Sequence, residues 1–375
     1  MSGTEFDVVI VGGGIVGAAC AEQCATAGMS VAIIEAQMIG GGATSAGMGH
    51  IVVMDDSEAQ FQLTRYSQTL WRDLRPVLPK TVEYEACGTI WVAADDEEMQ
   101  EVERKRDFYQ ARDVPVEVLN GKALMQSEPN LRQGLAGGLL VPEDGVLYPP
   151  CAASFLVQRA TERGARLFCG QRATSMGEGA VSLANGHRIS GKYVVNAAGA
   201  WSGTLTAGLP IRGRKGHLAI TDRYPGFVRH QLVELGYLKS AHSVSSDSVA
   251  FNVQPRMTGQ VLIGSSRQYD ADDSVESTML SRMLSRAQEY MPGIKGLSII
   301  RTWVGFRPAI ADKLPAIGPS LGDPTLYYAT GHEGLGTTTS LGTGRLLADM
   351  LLGRPTAIPV EPYLPSRLER MASHG

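Results

Sequence analysis

Phe6-Asp7-Val8-Val9-Ile10-Val11-Gly12-Gly13-Gly14-Ile15-Val16-Gly17 is the stretch of this 375-residue chain from which its fold is read. Residues 6–10 form an apolar, β-branched run without alternation, the pattern of a strand covered on both faces. The glycines fit G-x-G-x-x-G, and an Ala-rich helical stretch runs on to Ala27. Gly28 is a helix stop, and Val31-Ala32-Ile33-Ile34 is a second buried strand. Strand, turn, helix and strand in about 30 residues make a βαβ unit. There Gly12 permits the tight turn, Gly14 lets backbone approach a pyrophosphate, and Gly17 lets the helix lie close on the sheet. The N-terminus of that helix, at Ile15 and Val16, attracts phosphate charge. Glu35 closes the second strand, where a carboxylate accepts hydrogen bonds from ribose hydroxyls and repels a 2′-phosphate. These residues predict a dinucleotide site.

A length of 375 residues suggests two or three domains at about 150 residues each. Hydrophobic residues are 43% and charged ones 19%, a globular composition. The net charge of −4 gives no basic surface for nucleic acid. Glycine is 44 of 375 residues, well above the usual share and without a collagen-like period, so it marks tight turns and close approaches. Cys20, Cys24, Cys87, Cys151 and Cys169 have no zinc-type spacing, their number is odd, and no metal site is expected. Cys20 and Cys24 lie one helical turn apart and are read as packing. The absence of Cys-x-x-Cys removes a disulfide-reductase reading. MSGTEFD carries acids where an export signal would carry Lys or Arg, and Val8–Ala19 is too short and Gly-broken to span a bilayer. The expectation is a reduced, cytoplasmic protein, with peripheral attachment at the cytoplasmic face of the inner membrane left open.

Further along, residues 57–77, 96–112, 149–164, about 275–291 and about 337–352 suggest helices. Residues 89–93, 217–221, 248–254, 260–264 and 326–329 suggest strands, and 165–195 reads as short strands with turns, ending in Tyr193-Val194-Val195. Gly177-Glu178-Gly179 sits in a polar hairpin and is discounted as a second nucleotide fingerprint. Arg212, Arg214 and Lys215 are read as a solvated turn. Nucleotide-type features at the start, middle and end predict two interwoven domains.

The finer reading comes from three further segments. Gly41-Gly42-Ala43-Thr44-Ser45-Ala46-Gly47-Met48 is a run of small residues able to slide under an isoalloxazine ring. Val194-Val195-Asn196-Ala197-Ala198-Gly199-Ala200-Trp201-Ser202 and Gly331-His332-Glu333-Gly334-Leu335-Gly336-Thr337 follow. Together these resemble the D-amino acid oxidase superfamily of flavoproteins, over nearly the whole chain. Asp144-Gly145-Val146-Leu147-Tyr148-Pro149-Pro150 and Leu262-Ile263-Gly264-Ser265-Ser266-Arg267 are most similar to D-hydroxyproline dehydrogenases and hydrogen cyanide synthase flavin subunits.

The resemblance implies an α/β fold: a Rossmann-like FAD-binding domain interleaved with an α+β substrate domain carrying a mostly antiparallel sheet. The expected segments are 1–80, 145–214 and 300–375 for the first, and 81–144 and 215–299 for the second. It further implies that Gly12, Gly14, Ile15, Val16, Gly17, Glu35 and Ala36 hold the ADP half of FAD. Gly42, Ala43, Thr44, Ser45, Gly47 and Met48 would line the flavin ring. Ala198, Gly199 and Trp201 would cover the ribityl–pyrophosphate region, and Ala173 would contact adenine through its backbone. Gly305, Arg307, Gly331, His332, Gly334, Leu335, Gly336 and Thr337 complete the expected cofactor site. The last helix N-terminus suits the anion of a reduced flavin on its own physical grounds. Some relatives bond their flavin to a Cys before the final strand; Trp303–Pro319 has none, and His50, near the ring by position, lacks the setting of histidyl attachment, so non-covalent FAD is expected.

For the substrate, Trp303-Val304-Gly305-Phe306-Arg307-Pro308 resembles the family segment whose Arg pairs with a carboxylate, a task suited to a planar, always-charged fork. Met48, His50, Asn252, Arg307 and Gly334 are the expected substrate-binding residues, with Arg307 the catalytic anchor. His50 and His332 are weighed as structural, with substrate contact the alternative. Alternation puts Asn252 and Gln254 on one face and Phe251 on the other. Glycine oxidase has a Tyr near the place of Asn252 and an Arg at that of Gly334, which speaks against glycine. The expected reaction is hydride transfer from Cα of a small D-amino or cyclic imino acid, D-4-hydroxyproline or D-proline foremost, to flavin N5. Sarcosine-oxidase-like relatives place an oxygen-activating Lys on the strand matching 260–264, and none is present, which leans toward a dehydrogenase using a quinone or a partner protein rather than O2. A glycine- or sarcosine-type oxidase, a 2-hydroxy-acid dehydrogenase and a flavin-carrying subunit of an electron-transfer complex are the alternatives. A homo- or hetero-oligomer is compatible with each.

Overall fold

A computed structural model of the chain describes residues 5–206, 208–236, 247–269 and 272–368. The acidic N-terminal stretch therefore begins outside the described residues. Two eight-stranded sheets dominate. The first runs in the order Ala316–Pro319, Leu326–Thr330, Arg188–Asn196, Phe6–Val11, Val31–Glu35, Arg166–Cys169, and the hairpin of Ala173–Gly177 and Ala180–Leu183 extends from Arg188–Asn196. Its pairings from Leu326–Thr330 to Arg166–Cys169 are parallel. Parallel strands need cover on both faces, which is why Val8, Val9 and Ile10 are all fully buried. Burying side chains of that size is worth roughly 1.5–3 kcal/mol each.

Helices Ile15–Thr26, Pro149–Glu162 and Gly336–Leu351 cover one face of this sheet. The first and last approach closely because the last carries glycine where it crosses Ala19: a Cβ on Gly344 would stand 2.6 Å from Ala19 O. Cys20 and Cys24 are buried in this contact, where burial pushes the Cys24 thiol up to about 12. Gly177-Glu178-Gly179 is the hairpin turn between antiparallel strands, as its polarity suggests.

The second sheet runs Ile299–Ala309, Arg212–Arg223, Gln260–Arg267, Ser248–Pro255, Gln231–Glu234, Thr89–Ala93, Gly137–Val141, Glu117–Asn120. Only the Gln231–Glu234 pairing with Thr89–Ala93 is parallel. Helix Ser277–Tyr290 packs on one face, where Tyr290 stacks on Phe251 at 4.5 Å between ring centroids. Phe251 therefore points away from Asn252 and Gln254, as alternation requires. Helix Glu58–Leu74 starts where Ser57 Oγ accepts from Gln60 N, and helix Asp96–Gln110 where the Asp95 carboxylate accepts from Glu98 N.

The two-domain division remains our proposal; strand Ile299–Ala309 pairs within the second sheet, so the expected last cofactor-domain segment, from residue 300, begins inside that sheet. Reading Arg212, Arg214 and Lys215 as a solvated turn was wrong. They begin a strand, with Arg212 exposed but Arg214 and Lys215 buried in its interior. Clustered charge suggests solvent unless partners lie far away in sequence, as Glu333 and Asp272 do here. Among the described residues no helix is long and apolar enough to cross a membrane, and no metal-binding cluster is present.

Candidate active site

A cavity of about 580 Å³ runs between the two sheets. At one end are the C-terminal ends of the first parallel strands. Gly12, Gly14, Ile15 and Val16 line it, and both the first and last long helices open onto it with their N-termini. Such ends present unpaired N–H groups and positive partial charge. A Cβ on Gly12, whose φ is +113°, would overlap Ala197 O, so only glycine allows this backbone path. Ile15 N donates to Thr44 Oγ1 at 3.0 Å, tying the helix start to the loop below it.

Glu35 ends its strand on the cavity wall, beside Ala36. Its carboxylate accepts from Gly13 N and from Gln37 N, each at 2.7 Å, one bond per oxygen. Each oxygen retains acceptor capacity, the provision a ribose diol needs. Ala173 lines the same end.

The small-residue loop forms the middle of the cavity through Gly42, Ala43, Thr44, Gly47 and Met48. Ala46 meets Gly305 so closely that a Cβ on Gly305 would overlap it. Ala198, Gly199 and the half-exposed Trp201 form another wall. His332, Gly334, Leu335, Gly336 and Thr337 complete it from the turn before the last helix. Three expected residues lie outside the wall. Gly17 is pressed against Gly12 O and serves helix packing. Ser45 points its hydroxyl to Gly42 O at 3.0 Å. Gly331 has φ +81° and holds the turn against Ile310.

The far end is built by the second sheet. Arg307 Nη1 donates to Ser266 O at 3.0 Å, and the guanidinium lies across Gly216, where a Cβ would stand 2.6 Å from Arg307 Cζ. The missing Cβ is what lets the fork lie there. His50 and Asn252 line this end as well. Burial pushes His50 down to about 4; the Gln254 side chain opposes this and the Arg307 charge adds to it, so the imidazole is neutral at neutral pH. Burial also holds His332 down at about 3, with its Nε2 bonded to Thr343 Oγ1 at 2.9 Å. His332 thus combines a structural bond with a place on the wall.

Sequence reasoning missed Trp91, Gln231, Arg214 and Arg267, all of which line the cavity. Arg214 is held by Glu333 at 2.8 Å. The available signal was strand alternation: Arg214 and Gly216 share a face of one strand, and Arg214 pairs directly with Arg307.

The cavity fits FAD on these grounds. Glycine backbones leave space where side chains would intrude, two helix N-termini converge on it, and a carboxylate with spare acceptor capacity ends the second strand. The comparisons agree. Residues 7–350 match the family described as FAD dependent oxidoreductase (DAO). The chain is 28% identical to glycine oxidase of Geobacillus kaustophilus, over 96% of each protein. It is 25% identical to the hydrogen cyanide synthase subunit HcnC of Pseudomonas aeruginosa, over 97% of this chain and 96% of that one. Among solved structures, glycine oxidase from Geobacillus kaustophilus superposes with a TM-score of 0.86 at 27% identity, covering 96% of this chain and 98% of that one. L-proline dehydrogenase from P. horikoshii does so with a TM-score of 0.88 at 25% identity, over 98% of both. The chain belongs to the DAO family of FAD-dependent oxidoreductases, and FAD is its cofactor.

Proposed function

We propose that the protein dehydrogenates a small D-amino or cyclic imino acid, D-4-hydroxyproline or D-proline foremost, with FAD bound non-covalently. The observation that carries this reading is the Arg307 guanidinium, held by Ser266 O on the wall of the cofactor cavity. FAD, when bound, supplies the acceptor for a hydride from the substrate Cα. The chain's residues bind and orient. Arg307 takes the carboxylate through two parallel N–H bonds, which fixes both position and tilt. Neutral His50 adds no second positive charge near the substrate nitrogen, which must lose its own proton before oxidation. Glu35 and the first helix N-terminus hold the ADP half through Gly12, Gly14, Ile15 and Val16, and the last helix N-terminus faces the flavin ring. Met48, Asn252 and Gly334 border the substrate.

The relative described as L-proline dehydrogenase supports a cyclic amino acid and an acceptor other than oxygen. The strand Gln260–Arg267 carries no Lys, which supports transfer to a quinone or a partner protein, at work in the cytoplasm or on the inner face of its membrane. A second reading, oxidation of glycine, is favoured by the relatives named glycine oxidase. Incubation with each acid and a quinone-like dye, followed by mass spectrometry, separates them. The proposal expects a cyclic imine that keeps its nitrogen; glyoxylate with ammonia from glycine alone would overturn it in favour of the second reading.

A further inference from the structure

The seat of Arg307 is itself held from outside the cavity. Along strand Arg212–Arg223, Gly216 lines the cavity, and alternation turns His217 to the opposite face of the sheet, where it is fully buried. Its backbone N donates to Ser266 Oγ at 2.8 Å, and its Nδ1 lies 2.8 Å from the same oxygen. Its Nε2 accepts from Glu276 N at 3.0 Å. A ring nitrogen that accepts carries no proton, so the neutral imidazole has its proton on Nδ1 and donates it to Ser266 Oγ. Burial holds His217 below the ordinary imidazole range, with the charges of Lys215 and Arg307 adding to it and Glu276 opposing, which preserves this tautomer at neutral pH.

The strand register explains why a side chain is needed there. Strand Arg212–Arg223 pairs with Gln260–Arg267 at Ala219 and Ile263, and the two meet again at the bridge of Lys215 with Gln268. Between these points residues 216–218 face residues 264–267, which leaves one residue over on the second strand. Such an irregularity beside a site re-aims the groups it carries. Here His217 N bonds a side-chain oxygen in place of a carbonyl of the ladder, and the Ser266 carbonyl accepts from Arg307 Nη1 at 3.0 Å. One serine therefore takes both bonds from His217 at its hydroxyl and offers its carbonyl to the guanidinium. With the hydroxyl pinned at two points, the direction of the carbonyl is set as well.

An arginine side chain turns about several bonds, and it grips a carboxylate at both oxygens only when the plane of its fork is fixed. We infer that His217 is a positioning residue for Arg307, acting through Ser266 to hold the carbonyl on which the guanidinium is seated. This rests on the carboxylate role proposed above for Arg307. His217 itself lies off the cavity wall and touches neither substrate nor cofactor. Histidine suits the task because one ring nitrogen accepts while the other donates. Glu276 N orients the ring, and the ring in turn aims its N–H at Ser266 Oγ. Asparagine can supply a donor at the place of Nδ1 alone, and leucine supplies none.

The test is steady-state kinetics of the FAD-loaded protein with D-4-hydroxyproline, D-proline and glycine, kcat being taken per bound flavin. KM does not depend on how much of a preparation is folded. His217→Leu and Ser266→Ala should each raise KM by about tenfold and leave kcat within about twofold. His217→Asn should restore most of the lost affinity. In an Arg307→Ala background neither His217→Leu nor Ser266→Ala should raise KM further, because the residues act as one unit. The Ser266→Ala cycle serves alone if His217→Leu does not fold. An unchanged KM in the single variants overturns the inference, and so does a rise of the same size with and without Arg307, which would mark a purely structural role. Oxidation of glycine in place of the cyclic acids would overturn the proposed substrate and leave this test intact, since glycine carries the same carboxylate. If none of the three reduces the flavin, the role of Arg307 falls, and that of His217 with it.

Discussion

Replacing Arg307 by Ala removes the one group to which the proposal assigns the substrate carboxylate. A bidentate, charge-assisted contact is worth roughly 2–4 kcal/mol, which is a loss of about 30- to 1,000-fold in kcat/KM. Within the fold Arg307 Nη1 bonds Ser266 O at 3.0 Å, so the truncation also costs about 1 kcal/mol of stability. FAD should stay bound, because the Gly12–Val16 turn and Glu35 stand at the other end of the cavity. Gly216→Ala tests the same point with the charge intact. Its new Cβ would stand 2.6 Å from Arg307 Cζ, so the flexible guanidinium must move off its seat while the strand survives. Arg307→Lys keeps the charge but loses the fork, and should fall between the wild type and Arg307→Ala. The assay is steady-state kinetics with a quinone-like acceptor, alongside the visible spectrum of the bound flavin. Arg307→Ala and Gly216→Ala should both raise KM. Retained flavin with kcat/KM unchanged in both would refute the carboxylate assignment.

Other expectations follow from other parts of the molecule. Glu35→Ala deprives Gly13 and Gln37 of their acceptors and should weaken FAD by about 10- to 100-fold in equilibrium dialysis; unchanged affinity would count against its ribose role. Burial raises Asp144 to about 7, against the opposing pull of Thr89, Val53 N and Gln68 Nε2, the last two bonding one of its oxygens. The unfolded carboxyl ionises first as pH rises, so stability falls between about pH 4 and 7 and then levels. Asp144→Asn should flatten that slope in thermal melts, and equal slopes would contradict it. His332, held down at about 3, acts in the opposite sense: its contribution is present above pH 6.5 and is lost as pH falls below that. His332→Gln should therefore resist acid better than the wild type in thermal melts. Lastly, flavin reduced by substrate without oxygen should recolour slowly in air and quickly with a quinone; fast recolouring with peroxide would mark an oxidase.

How far the sequence could be read depended on the distance between the parts. Residues 6–35 carry their own instructions, because strand period, glycine spacing and the closing acid are all local, and the βαβ unit forms where they place it. The loop 41–48 and the turn 331–337 were legible for the same reason: small residues in an unbroken run have few other uses. Arg214 and Lys215 misled because charge in a strand looks like solvent until Glu333 and Asp272 are brought to it by the fold. Trp91 and Gln231 were hidden for a related cause. Trp91 sits in an apolar run that reads as core, and only the parallel pairing of Thr89–Ala93 with Gln231–Glu234, far apart in the chain, turns both residues toward the cavity.

The most direct measurement is an anaerobic titration of the purified yellow protein with D-4-hydroxyproline, D-proline, glycine, sarcosine and their L counterparts where these exist, followed by the flavin's visible absorbance. The account predicts full bleaching by the D-configured cyclic acids, D-4-hydroxyproline at the lowest concentration. A protein that keeps its colour against every one of them, or that binds no FAD, would contradict it.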